Sequence, residues 1–261
     1  MKQFSSIPAL VALVFVSACS SGDRVDTPPL PEQPIEPPST ATIQVVHGSS
    51  NAPEVNVTAG GDVVYAAVDY KESPLPISVD AGTTLDIGVD AILPGGDTVT
   101  VLELPNQLFE GDLIYTVFAA GNVGDEGDTA LQLIPVTRSK NFVPSDTVRV
   151  TALHAAAGAP EVDIYVTDPG TDLTTVDPIN AEGPVAFGDD PLGPLPIPAG
   201  EYRIRITVAG SKTAVAFDSG TVTLEGGTDP IVAAVDNTNA GAAIIEDTAI
   251  PVPVSALGVS R

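Results

Sequence analysis

The sequence predicts an all-β protein made of two tandem immunoglobulin-like β-sandwich domains that follow a signal peptide and a proline-rich tether. Short runs of β-branched residues alternate with polar residues, which is the pattern of half-buried strands. Turn-forming residues, among them 24 glycines and 25 prolines, separate those runs. The stretch 43–57, IQVVHGSSNAPEVNV, has a second version at 150–166, VTALHAAAGAPEVDIYV. A motif that occurs twice predicts a domain that occurs twice.

The composition supports packed cores and narrows the choice of partners. Hydrophobic residues make up 43% of the sequence, which is enough for packed cores. The length of 261 residues suits about two domains of ordinary size. The formal net charge is −24, with only 10 lysine and arginine residues. Such a chain repels phosphate groups and anionic lipid head groups, so we expect no nucleic-acid partner.

Residues 1–18 have the features of a lipoprotein signal peptide. Lys2 supplies a positive charge, and the apolar run 7–16 is too short to span a bilayer. The next residues, VSAC, resemble a bacterial lipobox, whose cysteine, Cys19, is lipidated and becomes the first mature residue. An ordinary secretory signal that contains a cysteine is the alternative. The lipobox predicts membrane attachment through the lipid and a place in the cell envelope. Ser20, rather than aspartate, at the next position resembles Gram-negative lipoproteins that are sorted to the outer membrane.

Residues 19–40 comprise the lipidated cysteine and a predicted disordered tether. The segment SSGDRVDTPPLPEQPIEPPST is rich in proline, lacks a periodic apolar face and favours an extended polyproline II course. At ~3.1 Å per residue, about twenty residues reach roughly 60 Å. Cys19 is the only cysteine in the sequence, so no disulfide is expected within the chain.

The repeated motif sets the predicted domain boundaries. In both versions a histidine ends an apolar run and is followed by proline and glutamate, with a constant offset of 107 between the versions (154 − 47). We predict β-sandwich domain 1 at 41–140, domain 2 at 147–254 and a C-terminal tail at 255–261, with the domain junction at 137–146. The repeat-motif residues are His47, Pro53 and Glu54 in the first version and His154, Pro160 and Glu161 in the second.

Later landmarks also match between the two domains. Leu-Pro-Ile at 75–77 corresponds to 195–197, and Ile-Pro-Val at 134–136 corresponds to 250–252. The offset grows from 107 to 120, so domain 2 has gained 13 residues (120 − 107), which fall in the loop 167–190. Long loops on β scaffolds are usual places for binding surfaces. Further strands of domain 1 are predicted at 63–68, 75–79, 84–89, 98–104, 113–119 and 130–136.

The succession of apolar run, histidine, short turn and Ala-Pro-x-Val, followed by Leu-Pro-Ile and Ala-Gly, resembles the bacterial domain of unknown function 4397 family. The resemblance implies extracytoplasmic β-domains, often in tandem and often on lipoproteins, for which no catalytic residues are established. It covers both domains. It is closer in the first domain, at HGSSNAPEVNV, because the second has the small-residue run AAAGAP in place of the turn.

His47 and His154 are the main candidates for chemistry. Strand alternation puts each ring on the face of its apolar neighbours, where a histidine ends the strand by hydrogen-bonding a turn, which is a structural role. Glu54 and Glu161 offer the alternative of an acid–base pair with each histidine. Neither domain has a second histidine or a cysteine that could complete a zinc site, so we predict no metal and no cofactor.

Asp218 is a further candidate, because the run 215–221, VAFDSGT, matches the pattern around the catalytic aspartate of pepsin-like proteases. That chemistry requires two facing aspartates, and the corresponding run 101–105, VLELP, has none. The alternative is a hairpin turn at Asp-Ser-Gly. The acidic loops 121–128 and 236–239 offer oxygen ligands but lack the spacing of an EF-hand calcium loop, so we expect solvated turns.

No set of residues is complete enough for catalysis, so the sequence predicts no enzyme and no catalytic residue. The predicted function is a lipid-anchored cell-envelope protein, non-catalytic, that binds an unidentified protein or polysaccharide partner or has a structural role. The alternative is an envelope hydrolase that uses Asp218 or a His–Glu pair.

Overall fold

The computed structural model describes residues 39–236 and the backbone of residues 243 and 244. The predicted signal peptide, Cys19, the tether up to residue 38, the landmark at 250–252 and the tail 255–261 lie outside the described residues. In the described part of the chain, no helix is long and apolar enough to cross a membrane.

Eight strands form two sheets in the first half of the described chain. We name the sheet with the order β4-β1-β7-β8 the first inner sheet and the sheet with the order β3-β2-β5-β6 the first outer sheet. The strands are β1 (Thr40–His47), β2 (Val55–Ala59), β3 (Asp62–Val68), β4 (Ile77–Asp80), β5 (Thr83–Ile92), β6 (Thr98–Phe109), β7 (Leu113–Ala120) and β8 (Gln132–Ser139).

Seven further strands form two sheets in the second half. The second inner sheet has the order β11-β9-β14-β15, and the second outer sheet has the order β10-β12-β13. Two short 3₁₀ helices, Gly127–Thr129 and Leu173–Thr175, lie in loops. The strands are β9 (Thr147–Ala155), β10 (Val162–Thr167), β11 (Leu192–Pro198), β12 (Gly200–Val208), β13 (Val215–Leu224), β14 (Ile231–Asp236) and β15 (Ala243–Ile244).

Each inner sheet is built around a parallel pair that joins an early strand to a late one. β1 runs parallel to β7, with Ile43 opposite Tyr115, and β9 runs parallel to β14, with Ala152 opposite Val232. These strands are largely apolar and are buried on both faces, and all six residues of β14 are buried. Strands that are buried on both faces have continuous apolar sequences rather than alternating ones.

Three apolar cores explain why the inner sheets are buried on both faces. The first inner and first outer sheets form the first sandwich, and the second inner and second outer sheets form the second. One core lies inside the first sandwich and contains Ile43 and Val57. The second sandwich has an equivalent core, divided into two clusters, between its own two sheets. The third core joins the two inner sheets, since Phe118 of β7 packs in one cluster with Leu153 of β9 and Ile231 of β14. The four sheets therefore form four layers.

The all-β fold and its sandwich architecture are confirmed. The immunoglobulin-like subtype is not, because the sheet orders β4-β1-β7-β8 and β3-β2-β5-β6 differ from the A-B-E-D and C-F-G orders of immunoglobulin constant domains. The two sandwiches also belong to one compact unit.

The predicted junction 137–146 is tied to both sandwiches. Lys140 donates its Nζ hydrogen to the backbone oxygen of Thr40 at 2.6 Å, which holds the junction to the start of β1. Arg149 of β9 donates to the backbone oxygen of Ser139 at 2.9 Å. Within the junction Val143 is buried, whereas Phe142 is 86% exposed.

The loop 167–190 lies against the second outer sheet. Its segment 179–185 runs along β10, where Val162 and Val185 exchange backbone hydrogen bonds of 3.0 and 2.9 Å. Ile179 donates to the backbone oxygen of Ile164 at 2.8 Å in the same way. This segment takes the place beside β10 that β3 takes beside β2 in the first outer sheet.

Candidate functional site

His47 is the last residue of β1 and is 1% exposed. Its Nε2 lies 3.0 Å from the backbone oxygen of Pro53, so the ring closes the loop that follows the strand. The ring also meets Tyr70 edge to face, with the ring centroids 6.3 Å apart. The six-residue spacing of histidine and proline is thus the span of one loop.

His154 lies at the corresponding place in β9 and is fully buried. Its Nε2 lies 3.0 Å from the backbone oxygen of Pro160, and its Nδ1 accepts the amide hydrogen of Ala156 at 3.3 Å. Because Nδ1 accepts, the proton belongs on Nε2, and the neutral ring satisfies both bonds. Phe187 meets this ring edge to face at 6.5 Å.

The glutamates of the motif are exposed, and their backbones rather than their carboxylates are tied into the fold. The backbone oxygen of Glu54 accepts from Ile92 at 2.9 Å, and that of Glu161 accepts from Ala209 at 3.0 Å. Pro53 and Pro160 are also exposed and contribute the carbonyl groups that the histidines bind. Among residues 39–236, no recorded hydrogen bond or ion pair joins either glutamate to its histidine.

Burial makes the neutral form of His154 the stable one. It lowers the pKa of His154, while the hydrogen bond to Pro160 and the charges of Asp236 and Asp189 act in the opposite direction. A neutral ring with both nitrogens engaged has no free lone pair for a metal or for proton transfer. Its arrangement is that of a structural group.

We expect the stability of the protein to fall below about pH 6.5 because of His154. The unfolded chain protonates this ring near its ordinary pKa of about 6.5, whereas the folded chain does so only at lower pH, so acid favours unfolding. Urea denaturation of the wild type and His154→Gln at about pH 7.5 and about pH 5 measures this. The difference in unfolding free energy between the two proteins should shrink in acid; a constant difference would contradict the assignment.

We also expect His47→Gln to lower the free energy of unfolding by about 1–2 kcal/mol, because the bond to the carbonyl of Pro53 is lost from a buried position. Glu54→Gln is the matched control and should change it by less than about 0.5 kcal/mol, since that side chain is exposed. Thermal and urea denaturation give both values. Equal losses in the two variants would instead support a coupled His–Glu pair.

Asp218 faces an arginine. Its Oδ1 and Oδ2 accept from Nε and Nη2 of Arg203 at 2.8 and 2.5 Å, and this contact lowers the pKa of Asp218. A pepsin-like pair instead shares one proton between two carboxylates. The expected hairpin turn is wrong, because Asp218, Ser219 and Gly220 lie inside β13 at an irregularity of its register with β12.

The described residues of the two acidic loops are held by hydrogen bonds to neighbouring groups. In the loop 121–128, Asp125 accepts from the side chains of Asn122 and Thr129 at 2.9 and 3.0 Å. Asp236 accepts from the amide of Gly158 at 2.9 and 3.1 Å, and burial raises the pKa of Asp236. Residues 237–239 lie outside the described residues. Among the residues that the structure describes, the loop 121–128 included, no group of three or more His, Cys, Asp or Glu could hold a metal ion.

A buried charge cluster between the sandwiches was missed in the sequence. Arg138 of β8 donates to the backbone oxygen of Asp229 and, at 3.1 Å, to the hydroxyl of Thr116. Arg149 donates to the carboxylate of Asp229 at 2.6 Å. Burial lowers the pKa of Arg138 and raises that of Asp229. Strand alternation in the sequence could have indicated this burial, because it puts Arg138 on the buried face of β8 together with Ile134 and Val136.

No curated protein matches the chain. The family resemblance is supported over the first sandwich and the first strands of the second. Over residues 41–165, the chain matches the model of the family described as Domain of unknown function (DUF4397).

Proposed function

We propose that the chain is a lipid-anchored protein of the cell envelope, held in the outer membrane through Cys19, and that its sandwiches act as a non-catalytic binding or structural module. The anchor is supported by the lipobox pattern at 16–19 and by the proline-rich segment that follows it. The net charge of −24 supports contact with the membrane through a lipid rather than through the protein surface.

The proposal of a non-catalytic role is supported by the burial and the bonding partners of the candidate catalytic side chains. His47 and His154 are buried and bind carbonyl groups of their own loops. Asp218 is neutralised by Arg203. A general acid or base must reach a substrate, and a perturbed pKa is useful only where a substrate can approach. These groups support a stable scaffold instead.

The proposal includes a second tandem copy of the domain. It is supported by the equal His–Pro distances of 3.0 Å and by the parallel pairing of β1 with β7 and of β9 with β14. Two similar units on one chain suit binding, because two weak contacts on one molecule raise its avidity without new chemistry.

Cell fractionation tests the anchor. We expect the wild-type protein and the control Ser21→Ala to incorporate labelled palmitate and to remain with the membranes after a carbonate wash. Cys19→Ala should do neither, because the thiol that receives the lipid is missing. If Cys19→Ala stays with the membranes as the wild type does, the anchor is not at Cys19 and the proposal fails.

A further inference from the structure

The outer face of the second sandwich is covered by the chain itself. Arg205 of β12 points to this face, since its neighbours Ile204 and Ile206 lie in the core. It donates to the backbone oxygen of Thr171 at 2.8 Å, so the loop 167–190 crosses above it. Tyr165 beside it is only 1% exposed.

The first outer sheet has equivalent positions, and no segment among residues 39–236 covers them. Thr58 lies opposite Gly88 in the first outer sheet, as Tyr165 lies opposite Arg205 in the second. The next strand along each sheet also corresponds. Glu103 of β6 lies opposite Gly88, as Asp218 of β13 lies opposite Arg205. The turn between β2 and β3 is short, because β2 ends at Ala59 and β3 begins at Asp62, so no segment of this turn reaches across the face.

We name the solvent-facing surface of the first outer sheet the first outer face. It contains a shallow cleft of about 330 Å³ over Gly88. A Cβ at Gly88 would lie 2.5 Å from the hydroxyl of Thr58, so glycine is the residue that leaves room for Thr58 on the floor of the cleft. The cleft lining includes the carboxylates Asp86, Asp90 and Glu103.

Exposed apolar side chains lie on the same face at either side of the cleft. Val63 is 56% exposed and pairs with Thr58, and Leu108 is 46% exposed and pairs with Thr84. Both partners point outward because their neighbours Val57 and Leu85 pack in the core. The face therefore offers negative charge at its centre and apolar contact at its sides.

We propose that the first outer face docks an extended polypeptide segment of a partner protein that carries lysine or arginine side chains between small apolar ones. This inference rests on the proposed binding function and names its partner class. A polypeptide is favoured because a polypeptide, the loop 167–190, occupies the corresponding place in the second sandwich. A basic segment is favoured because residues 41–140 contain 14 acidic and 3 basic residues, a net charge of −11 (3 − 14).

The chain's own segments do not fit this description. Residues 20–38 have four acidic residues and one basic residue, and residues 237–261 have two acidic residues and one basic residue. Charge also disfavours a second copy of the chain, because each copy has a net charge of −24. These charges favour a segment of a partner protein as the occupant.

Fluorescence anisotropy with the full-length protein tests the proposal. The probe is a labelled peptide of alternating lysine and valine, and the control peptide alternates glutamate and valine. Glu103→Lys should weaken binding of the lysine peptide by about tenfold, because it reverses a charge inside the cleft. Glu126→Lys makes the same change on an exposed loop and should stay within about twofold of the wild type. Hydrogen exchange should show protection of β5 and β6 when the peptide binds.

Three outcomes would overturn the proposal. Equal weakening in the two variants would mean diffuse charge attraction, and absence of binding to the wild type would mean that no basic segment docks there. Binding of the cationic polysaccharide chitosan in preference to the peptide would assign the face to a different class of partner. All three leave the fractionation of Cys19→Ala unchanged, so failure of this proposal and failure of the anchor are distinguishable.

Discussion

Replacing Asp229 with alanine should lower the free energy of unfolding by about 3–5 kcal/mol. Asp229 is 3% exposed, and its carboxylate accepts a hydrogen bond from the partly exposed Arg149 and lies in the field of the buried Arg138, which binds the backbone oxygen of Asp229. A buried ion pair adds little net stability, because desolvation of the charges offsets their attraction. Removal of one partner leaves buried charge uncompensated, and this accounts for most of the expected loss in the free energy of unfolding.

Asp218→Ala is the matched control, because it also breaks an arginine–aspartate pair. Its side chain and that of Arg203 are 33% and 37% exposed, so water solvates the arginine that remains. The expected loss is about 0–1 kcal/mol. Urea denaturation at neutral pH measures both variants. Similar losses would show that Asp229 does not hold the sandwiches together through buried charge.

Phe118→Ala should destabilise the protein by about 3–5 kcal/mol, because the side chain is fully buried between the two inner sheets and its removal leaves a cavity. Its neighbours in that core, Leu153 and Ile231, belong to the second sandwich. We therefore expect both sandwiches to lose stability together and to unfold in one transition, as followed by calorimetry.

Phe142→Ala removes the same side chain from a position that is 86% exposed and should change stability by less than about 0.5 kcal/mol. Two separate transitions in the Phe118 variant, with one unchanged from the wild type, would show that the inner sheets do not stabilise each other. An unchanged single transition would show that Phe118 contributes little packing.

Strand positions were readable from the sequence because side-chain alternation is a local property. Strands predicted at 98–104 and 113–119 are observed at Thr98–Phe109 and Leu113–Ala120. The extension of β6 through Pro105 was not predicted, because proline normally ends a strand. It is tolerated here because β6 is an edge strand.

The contacts between elements could not be predicted from the sequence. The apolar sequence of β7 shows that both faces are buried but does not identify the second inner sheet as the cover. The bond from His47 to the carbonyl of Pro53 was equally hidden, because a backbone acceptor leaves no mark on residue type. Arg138 belongs to the segment predicted as the domain junction, and its burial on the inner face of β8 was not predicted.

The parallel pairs of the inner sheets also set the order in which the chain can fold. Ile43 meets Tyr115 only after 72 further residues (115 − 43) have been made, and Ala152 meets Val232 after 80 (232 − 152). Pairing over such separations raises contact order and slows folding. Until its parallel partner arrives, β1 presents an apolar strand with a free edge, which is the form most prone to aggregation. A chain that emerges from its N-terminus therefore needs β1 to be shielded, and slowed delivery of residues 113–120 should raise its dependence on holding chaperones.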